Sequence, residues 1–492
     1  MKATGPTPDL AGASSAEADA FFSYPAKLAR SVSAVPGDGS TVNAMMLTYS
    51  PPASGADGNA LWTAINKELG VNLELNLVPA SEYAAKFATV MASTALPDSM
   101  LIMNTVSRAR DFVKAKCADL TDFVSGDNIK KYPNLANIPT ASWEAMGRID
   151  GRIFGIPLTR PKLNTAQFHV NRTKLDALQV PADWSQQDFL DAMKALKKEG
   201  SYGFGIDSST AYGAGYFAGA FGAPQGWKLN KGAFTSAYES DEYVAALEFA
   251  RQMYSDGYYH PTSSSGSLND IMNLYYNQEI SSTVGNFFNF AGGTYVTRVG
   301  GAFQTDVAVP FGSDRTSWMG SGVYGFTAFK DAPAERIEMM LRLCDYLAAP
   351  YGTTEYELLN YGVEGVHFTR SDGGLTPTDL AKTENANSVP VKYMSCAPMI
   401  IQVADDRAAT ERAFAVQSQL VPAGISDPSV GLFSATAEKS GAALAQTMND
   451  TAAGIISGRQ SVADWAAAIA DYKNSGGARI ADEFAASLTA NS

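Results

Sequence analysis

Hydrophobic positions along this chain change period every ten residues or so. Leu61, Trp62, Ile65 and Leu69 recur at helical spacing and stop at Gly70, which can take the left-handed conformation that ends helices. Val71, Leu73, Leu75 and Leu77 then alternate with polar residues, predicting a strand with one covered face. Ser81 is placed to cap a helix carrying Tyr83, Phe87, Val90 and Met91. Apolar runs at 42–49 and 100–103 bracket these segments as strands. The succession strand, helix, strand, helix, strand is the pattern of an α/β protein with a mostly parallel sheet.

Further along, Ile149 and Ile153 flank Asp150-Gly151, a pair suited to a two-residue turn with positive φ, and Pro157 denies its strand one ladder donor. A strand at 166–171 precedes Trp184 and a helix with Phe189, Leu190, Met193 and Leu196. The 200–232 stretch is dense in glycine and aromatics, which predicts loops around a surface that ligands can approach. After Pro333, Ile337, Met340, Leu341, Cys344 and Leu347 mark the core face of a helix. A closing helix puts Val462, Trp465, Ile469 and Tyr472 on one stripe, with Ser461 and Asp464 as its cap and Gly476-Gly477 as its stop.

At 492 residues the chain exceeds what one hydrophobic core usually supports, so two lobes are expected. Its 37 basic and 50 acidic residues give a net charge of −13, which repels phosphate backbones and argues against nucleic acid as a partner. No apolar run reaches the ~18 residues a bilayer span needs. Residues 1–40 are rich in Ala, Ser, Pro and Gly and carry no signal-like apolar core, so they read as a flexible tether. Cys117, Cys344 and Cys396 fit no zinc or CxxC spacing; Cys344 reads as a packing residue, while a disulfide between the other two is left open.

Signatures of catalysis are missing. His169, His260 and His367 show no metal-gripping spacing, and there is no GxSxG elbow or GKS/GKT phosphate loop. Gly213-Ala214-Gly215-Tyr216-Phe217-Ala218 meets the loose dinucleotide pattern, but a bulky pair fills its turn and the acidic residue about 20 positions on is absent. The expectation is no catalytic residue, no cofactor and no metal.

Five motifs recur in an informative order: Ala92-Ser93 with Leu96-Pro97-Asp98, the Asp150-Gly151 hairpin through Pro157, His169-Val170-Asn171-Arg172, the run from Asn360 to His367 (Asn-Tyr-Gly-Val-Glu-Gly-Val-His), and Ile456-Ser457-Gly458-Arg459-Gln460-Ser461. In that order the chain resembles the extracellular solute-binding proteins of ABC importers, in particular the large lipoprotein-type and oligosaccharide-binding members. The resemblance implies a two-lobed periplasmic-binding-protein-like fold of type II, each lobe a mostly parallel sheet flanked by helices, with the ligand cleft between lobes. It implies lobe 1 at 41–162 plus 291–331, and lobe 2 at 163–290 plus 332–492 with C-terminal helices near the hinge. It also implies an extracytoplasmic monomer, lipid-anchored through a cysteine ahead of residue 1 or periplasmic, that closes on a sugar and delivers it to permease subunits. A peptide or other non-sugar solute, or a carbohydrate-active enzyme, are the alternatives.

Sugars are held by flat apolar rings and by groups that hydrogen-bond vicinal hydroxyls. Ring candidates are Phe287 and Phe288 at the expected second crossing (283–290), Trp227 after the Gly-rich loop, Trp143 before the hairpin, and Trp318 in a Gly- and Ser-bounded loop. Trp62, Trp184 and Trp465 sit at core spacing and read as structural. Polar candidates are Asn104, Tyr49 and Tyr324 at strand ends, and Arg160 beyond the hairpin, whose fork suits a carboxylate, two hydroxyls or an interlobe ion pair. Glu364 and His367 belong to a family motif and serve either the ligand or the shape of their loop. Some relatives of acidic-sugar specificity carry a calcium loop after the helix that follows the first crossing. Here that place reads Lys197-Lys198-Glu199-Gly200, poor in oxygen ligands, so no calcium is expected.

Overall fold

A computed structural model describes residues 5–51, 53, 55–103, 106–197, 201–309, 311, 316–371 and 374–491. The chain divides into two compact units: 1–11, 21–161 and 322–400 form the first, and 12–20, 162–321 and 401–492 the second.

The first unit is built on a five-stranded sheet in the order Asn72–Pro79, Thr41–Thr48, Ser99–Ile102, Val323–Phe329, Ile156–Thr159. The first three run parallel, and Val323–Phe329 runs antiparallel to both of its neighbours. Pro157 sits in the edge strand, where a missing donor costs nothing. The helix Ala60–Leu69 buries Leu61, Trp62, Ile65 and Leu69, with Asn59 capping one end and Gly70 at φ 64° closing the other. The second helix, Tyr83–Met91, has no side-chain cap, so the expected role of Ser81 is not seen. Asp98 bolts the sheet to the helix Ala334–Leu347: its carboxylate accepts from Asn43 N (2.9 Å) and pairs with Lys330 (2.8 Å) and Arg336 (3.1 Å). Cys344 is buried in this core, and all three cysteines are free.

The second unit carries a four-stranded sheet in the order Thr305–Ala308, Ala166–Asn171, Ile280–Asn286, Tyr202–Gly205. Here Ala166–Asn171 is the reversed strand, antiparallel to both neighbours, while Ile280–Asn286 and Tyr202–Gly205 are parallel. Phe168, Phe189, Phe204, Phe217 and Phe311 fill the core, and Trp184 is anchored through Nε1 to Val309 O at 2.9 Å. Ser185 and Asp188 cap the helix Gln186–Leu196 reciprocally.

The two sheets share one device. In each, the reversed strand is the first strand after a crossing: 161 to 162 leads into Ala166–Asn171, and 321 to 322 into Val323–Phe329. Reversal places the residues next to each crossing at the same sheet edge as the carboxyl ends of the remaining strands, the edge where open α/β sheets bind ligands.

Several expected boundaries are corrected. The chain does not return to the first unit at 283–290, because Ile280–Asn286 is hydrogen-bonded on both sides within the second sheet and Thr305–Ala308 extends that sheet through Ala166–Asn171. The return comes at Gly322, and the helix after Pro333 stays in the first unit, where Ile337, Met340, Leu341 and Cys344 are buried. The supposed tether at 1–40 is packed from residue 5 onward: Ala20 and Phe21 are buried, Ala18 and the Gln417 amide exchange two 2.9 Å bonds, and Ser31 and Val32 donate to Glu355. Small residues there let the backbone lie close against each unit. Gly476-Gly477 does not stop the closing helix but kinks it, with Gly476 at φ 142°, before Ala478–Asn491.

Candidate functional site

At the carboxyl edge of the second sheet lies a cavity of about 490 Å³, within the range of small-molecule sites. Its floor is the edge itself: Thr165 and Ala166 at the start of the reversed strand, Val284 near the end of its neighbour, and Ile206 just past Tyr202–Gly205. Its walls are rings, namely Tyr216, Trp227, Tyr238, Tyr243, Trp318, Tyr472 and Phe484, with Thr210, Ser236, Ser317 and Asn449 as polar groups between them. Among the described residues, no side chain lining it is charged.

Each ring is held by its own local chemistry. Trp318 donates Nε1–H to Ala223 O at 2.9 Å and lies against two glycines of the helix Ala214–Ala220. A Cβ on Gly215 or Gly219 would come within 3.1 and 3.0 Å of the indole, so only glycine leaves room for it there. Trp227 stands edge-on to Phe484 (5.6 Å, 82°) and Phe234 (6.5 Å, 76°). Tyr238 stands edge-on to Tyr472 (5.4 Å) and to Trp465, which in turn stacks on Tyr243. Burial pushes the Tyr238 phenol up to about 12 and raises those of Tyr216 and Tyr472 as well, so all three keep their protons as hydrogen-bond donors. The Tyr216 hydroxyl is buried with no hydrogen-bond partner among the described residues. One wall begins with three consecutive left-handed residues, Ala211 (φ 47°), Tyr212 (φ 56°) and Gly213 (φ 81°), held in place by Tyr259 Oη donating to Tyr212 O at 2.7 Å. Two non-glycine residues in that region cost on the order of 1–3 kcal/mol each, strain of the kind that gathers at functional sites.

The first unit gathers a second cluster at the corresponding edge of its own sheet. Tyr49 follows the strand Thr41–Thr48, Arg160 follows Ile156–Thr159, and Tyr324 opens the reversed strand. The Tyr49 and Tyr324 hydroxyls are 2.8 Å apart, and both rings approach Tyr393, at 6.4 and 5.2 Å between centroids. The Arg160 guanidinium lies 5.2 Å over the Tyr324 ring, and its Nη1 donates to Thr159 O at 2.8 Å and contacts Cys396 Sγ at 3.3 Å. Lys392 Nζ lies 5.6 Å over the Tyr393 ring and donates to Asn387 Oδ1 at 2.6 Å.

Of the residues expected from the sequence, then, Trp227 and Trp318 meet in the second unit's cavity, and Tyr49, Arg160 and Tyr324 meet on the first unit. Others are elsewhere. Phe287 and Phe288 are 0% and 5% exposed and pack edge-to-face at 5.3 Å, so neither has a face to offer a ligand; the short helix they start is nailed down by Phe287 N donating to Thr165 O. His367 is wholly buried, with Nδ1 accepting from Val363 N (3.0 Å) and Nε2 facing Glu384 (3.3 Å); it shapes its loop. Glu384 in turn accepts from Ala60 N, the first turn of the helix Ala60–Leu69. Glu364 is exposed and faces Arg370 at 3.6 Å, and Trp143 packs against the first unit's core. Asn104 lies outside the described residues, as do Lys198–Gly200 of the segment read for calcium. The sequence reading missed Tyr216, Tyr238, Tyr472 and Phe484, and on the first unit Lys392 and Tyr393. The Gly-rich stretch did point to Gly213, Gly215 and Gly226 as loop residues beside a ligand surface. The distant 472–484 segment carried no such signal.

A family model described as bacterial extracellular solute-binding protein matches residues 60–363. The chain belongs to that family. Among curated relatives, this solute-binding protein is 22% identical over 382 residues to the polygalacturonan/rhamnogalacturonan-binding protein YtcQ of Bacillus subtilis, covering 73% of this chain and 74% of the relative. It is 25% identical over 219 residues to lipoprotein LipO of the same organism, 42% of each chain. Among solved structures, an HMO-binding, ABC-transporter-associated solute-binding protein from Bifidobacterium longum infantis superposes with TM-score 0.69 at 12% identity, covering 92% of this chain and 99% of the other. Streptococcus pneumoniae FusA, solved with kestose, superposes with TM-score 0.64 at 16% identity, covering 92% and 100%. The α/β fold of two-lobed solute-binding proteins is therefore shared along nearly the whole chain, and the family places its work outside the cytoplasm.

Proposed function

We propose that this protein captures an oligosaccharide outside the cytoplasmic membrane and delivers it, chemically unchanged, to the permease of an ABC importer. The observation that carries the reading is the second unit's cavity: seven rings and a few hydroxyl and amide groups, with no charged side chain among the described residues that line it, at the ligand-binding edge of an α/β sheet. Pyranose rings present C–H faces to such walls and hydroxyls to such polar groups. Relatives support the same class, since YtcQ binds polygalacturonan and rhamnogalacturonan and FusA was solved with kestose.

The energies are sufficient. Covering a ring's face contributes about 1.5–3 kcal/mol and each net hydrogen bond about 1 kcal/mol, while a micromolar complex needs about 8 kcal/mol after ordering costs. Two indoles and a handful of polar contacts reach that range. In this reading the protein works as a monomer on a lipid anchor; that a relative bears the name lipoprotein LipO supports the anchor.

Calorimetry against parallel panels of oligosaccharides and peptides tests the reading. Heat with oligosaccharides, weakened about tenfold or more in Trp318→Ala, is the expected result; heat with peptides alone would retire it. Prolonged incubation followed by chromatography should return the sugar uncleaved.

A further inference from the structure

Several half-buried cations in this protein are matched by acids, Arg172 by Asp176, Arg336 by Asp98, Arg370 by Glu357 and Arg412 by Asp306, while Lys162, Lys174 and Arg251 donate to backbone carbonyls. The cluster on the first unit's sheet edge differs in setting two cations close enough for the charge of one to act on the other. Among the described residues neither Arg160 nor Lys392 forms an ion pair, and the neighbours that position them are a carbonyl, a sulfur, an amide oxygen and two tyrosine rings. The sequence left open whether the Arg160 fork served an interlobe ion pair or a ligand, and no acid among the described residues pairs with it.

We propose that Arg160 and Lys392, with the Tyr49–Tyr324 hydroxyl pair, form a carboxylate-binding subsite, and that the solute is an acidic, uronate-containing oligosaccharide. The proposal rests on the oligosaccharide reading above and narrows it.

Three features fit. Arg160 spends Nη1 on Thr159 O and the Cys396 sulfur, leaving the other donors of a planar fork that matches carboxylate geometry. Of the two tyrosine hydroxyls 2.8 Å apart, one donates to the other, so the pair retains a proton to give a ligand oxygen, and Tyr49 is 69% exposed, open to an arriving solute. Finally, the protein as a whole carries −13, which disfavours an anionic ligand unless positive charge is concentrated where the ligand docks. Burial and the neighbouring Arg160 charge push the Lys392 ammonium down to about 8, which a bound carboxylate would reverse. The absence of an oxygen-rich run at Lys197-Lys198-Glu199-Gly200 had weakened the case for an acidic sugar. Side-chain cations supply the counter-charge by a different route.

The test is calorimetry on the full chain with uronate oligosaccharides and their carboxyl-reduced counterparts, at low and moderate salt. The expected result is at least tenfold tighter binding of the acidic form, shrinking as salt rises. Arg160→Gln and Lys392→Gln should each reduce that preference to threefold or less, and Lys392→Arg should retain it. Equal or tighter binding of the carboxyl-reduced forms overturns the subsite and leaves the oligosaccharide reading standing. Heat from peptides and from no sugar overturns both. No heat from any uronate overturns the subsite whatever the neutral sugars do. Should the glutamine variants fail to fold by circular dichroism, the acidic-against-reduced comparison on the wild type still decides.

Discussion

Phe287→Ala separates a structural ring from a binding one. From sequence, the Phe287-Phe288 pair sat where the family turns toward its ligand, and removing it should weaken binding without unfolding. The structure reverses that expectation. Phe287 is 0% exposed, packs edge-to-face on Phe288 at 5.3 Å and opens a helix tied to Thr165. Truncating a buried phenylalanine costs about 3–5 kcal/mol, part transfer and part cavity. The edge-to-face pair contributes about 0.5–1.5 kcal/mol of this beyond its area, so Phe287→Ala and Phe288→Ala should be less than additive in combination. At about 2–4 °C per kcal/mol for a unit of this size, the single variant should melt roughly 6–20 °C below wild type. Urea unfolding followed by tryptophan fluorescence and circular dichroism reads the loss, and calorimetry at a temperature where the variant is folded reads the affinity. A variant that melts like wild type while its sugar affinity falls tenfold would show that the ring faces ligand and that the packing argument is wrong.

Other outcomes follow from the same geometry. Gly219→Val drives a branched side chain against Trp318, whose ring and backbone nitrogen already lie 3.0–3.2 Å from a Cβ there; overpacking should cost about 1–3 kcal/mol and weaken sugar binding severalfold, and wild-type affinity would argue that the indole does not meet the ligand. Asp345 is buried, and burial raises its carboxyl to about 6, opposed by the Asn134 and Leu135 amides it accepts from. Because its folded value lies above the unfolded one, the folded state binds the extra proton, so this group's contribution declines as pH rises from about 4 to about 6, by on the order of 3 kcal/mol. Wild type measured against Asp345→Asn by urea unfolding should show that slope; a difference flat across the window would contradict it. Glu384→Ala removes the acceptor for Ala60 N (2.7 Å) and leaves His367 Nε2 facing no carboxylate, so the first unit should lose about 1–2 kcal/mol with sugar affinity unchanged, read by the same two assays.

What the sequence determined by itself was local and periodic. Leu61, Trp62, Ile65 and Leu69 had to face one way on a helix that Gly70 ends, and Asp150-Gly151 had to turn, with φ of 49° and 79°, because neighbours along the chain and single-residue backbone preferences decide both. The strand-end candidates Tyr49, Arg160 and Tyr324 were legible for the same reason, since an α/β pattern implies which sheet edge holds a site. Pairing partners were not. The strand segment Ile280–Asn286 reads equally well as one leading out of a lobe and as one buried between two others, and only its hydrogen bonds to Ala166–Asn171 and Tyr202–Gly205 show the second. That choice moved the crossing from 283–290 to 321–322, buried Phe287 and Phe288, and kept Trp318 in the second unit. The cavity required more still, because its walls come from Thr165 to Phe484, segments more than 300 residues apart that no local pattern couples. The small residues at the amino terminus looked like a tether for the same reason: sequence reports what a segment can do alone, and packing of Ala20 and Phe21 depends on surfaces made elsewhere in the chain.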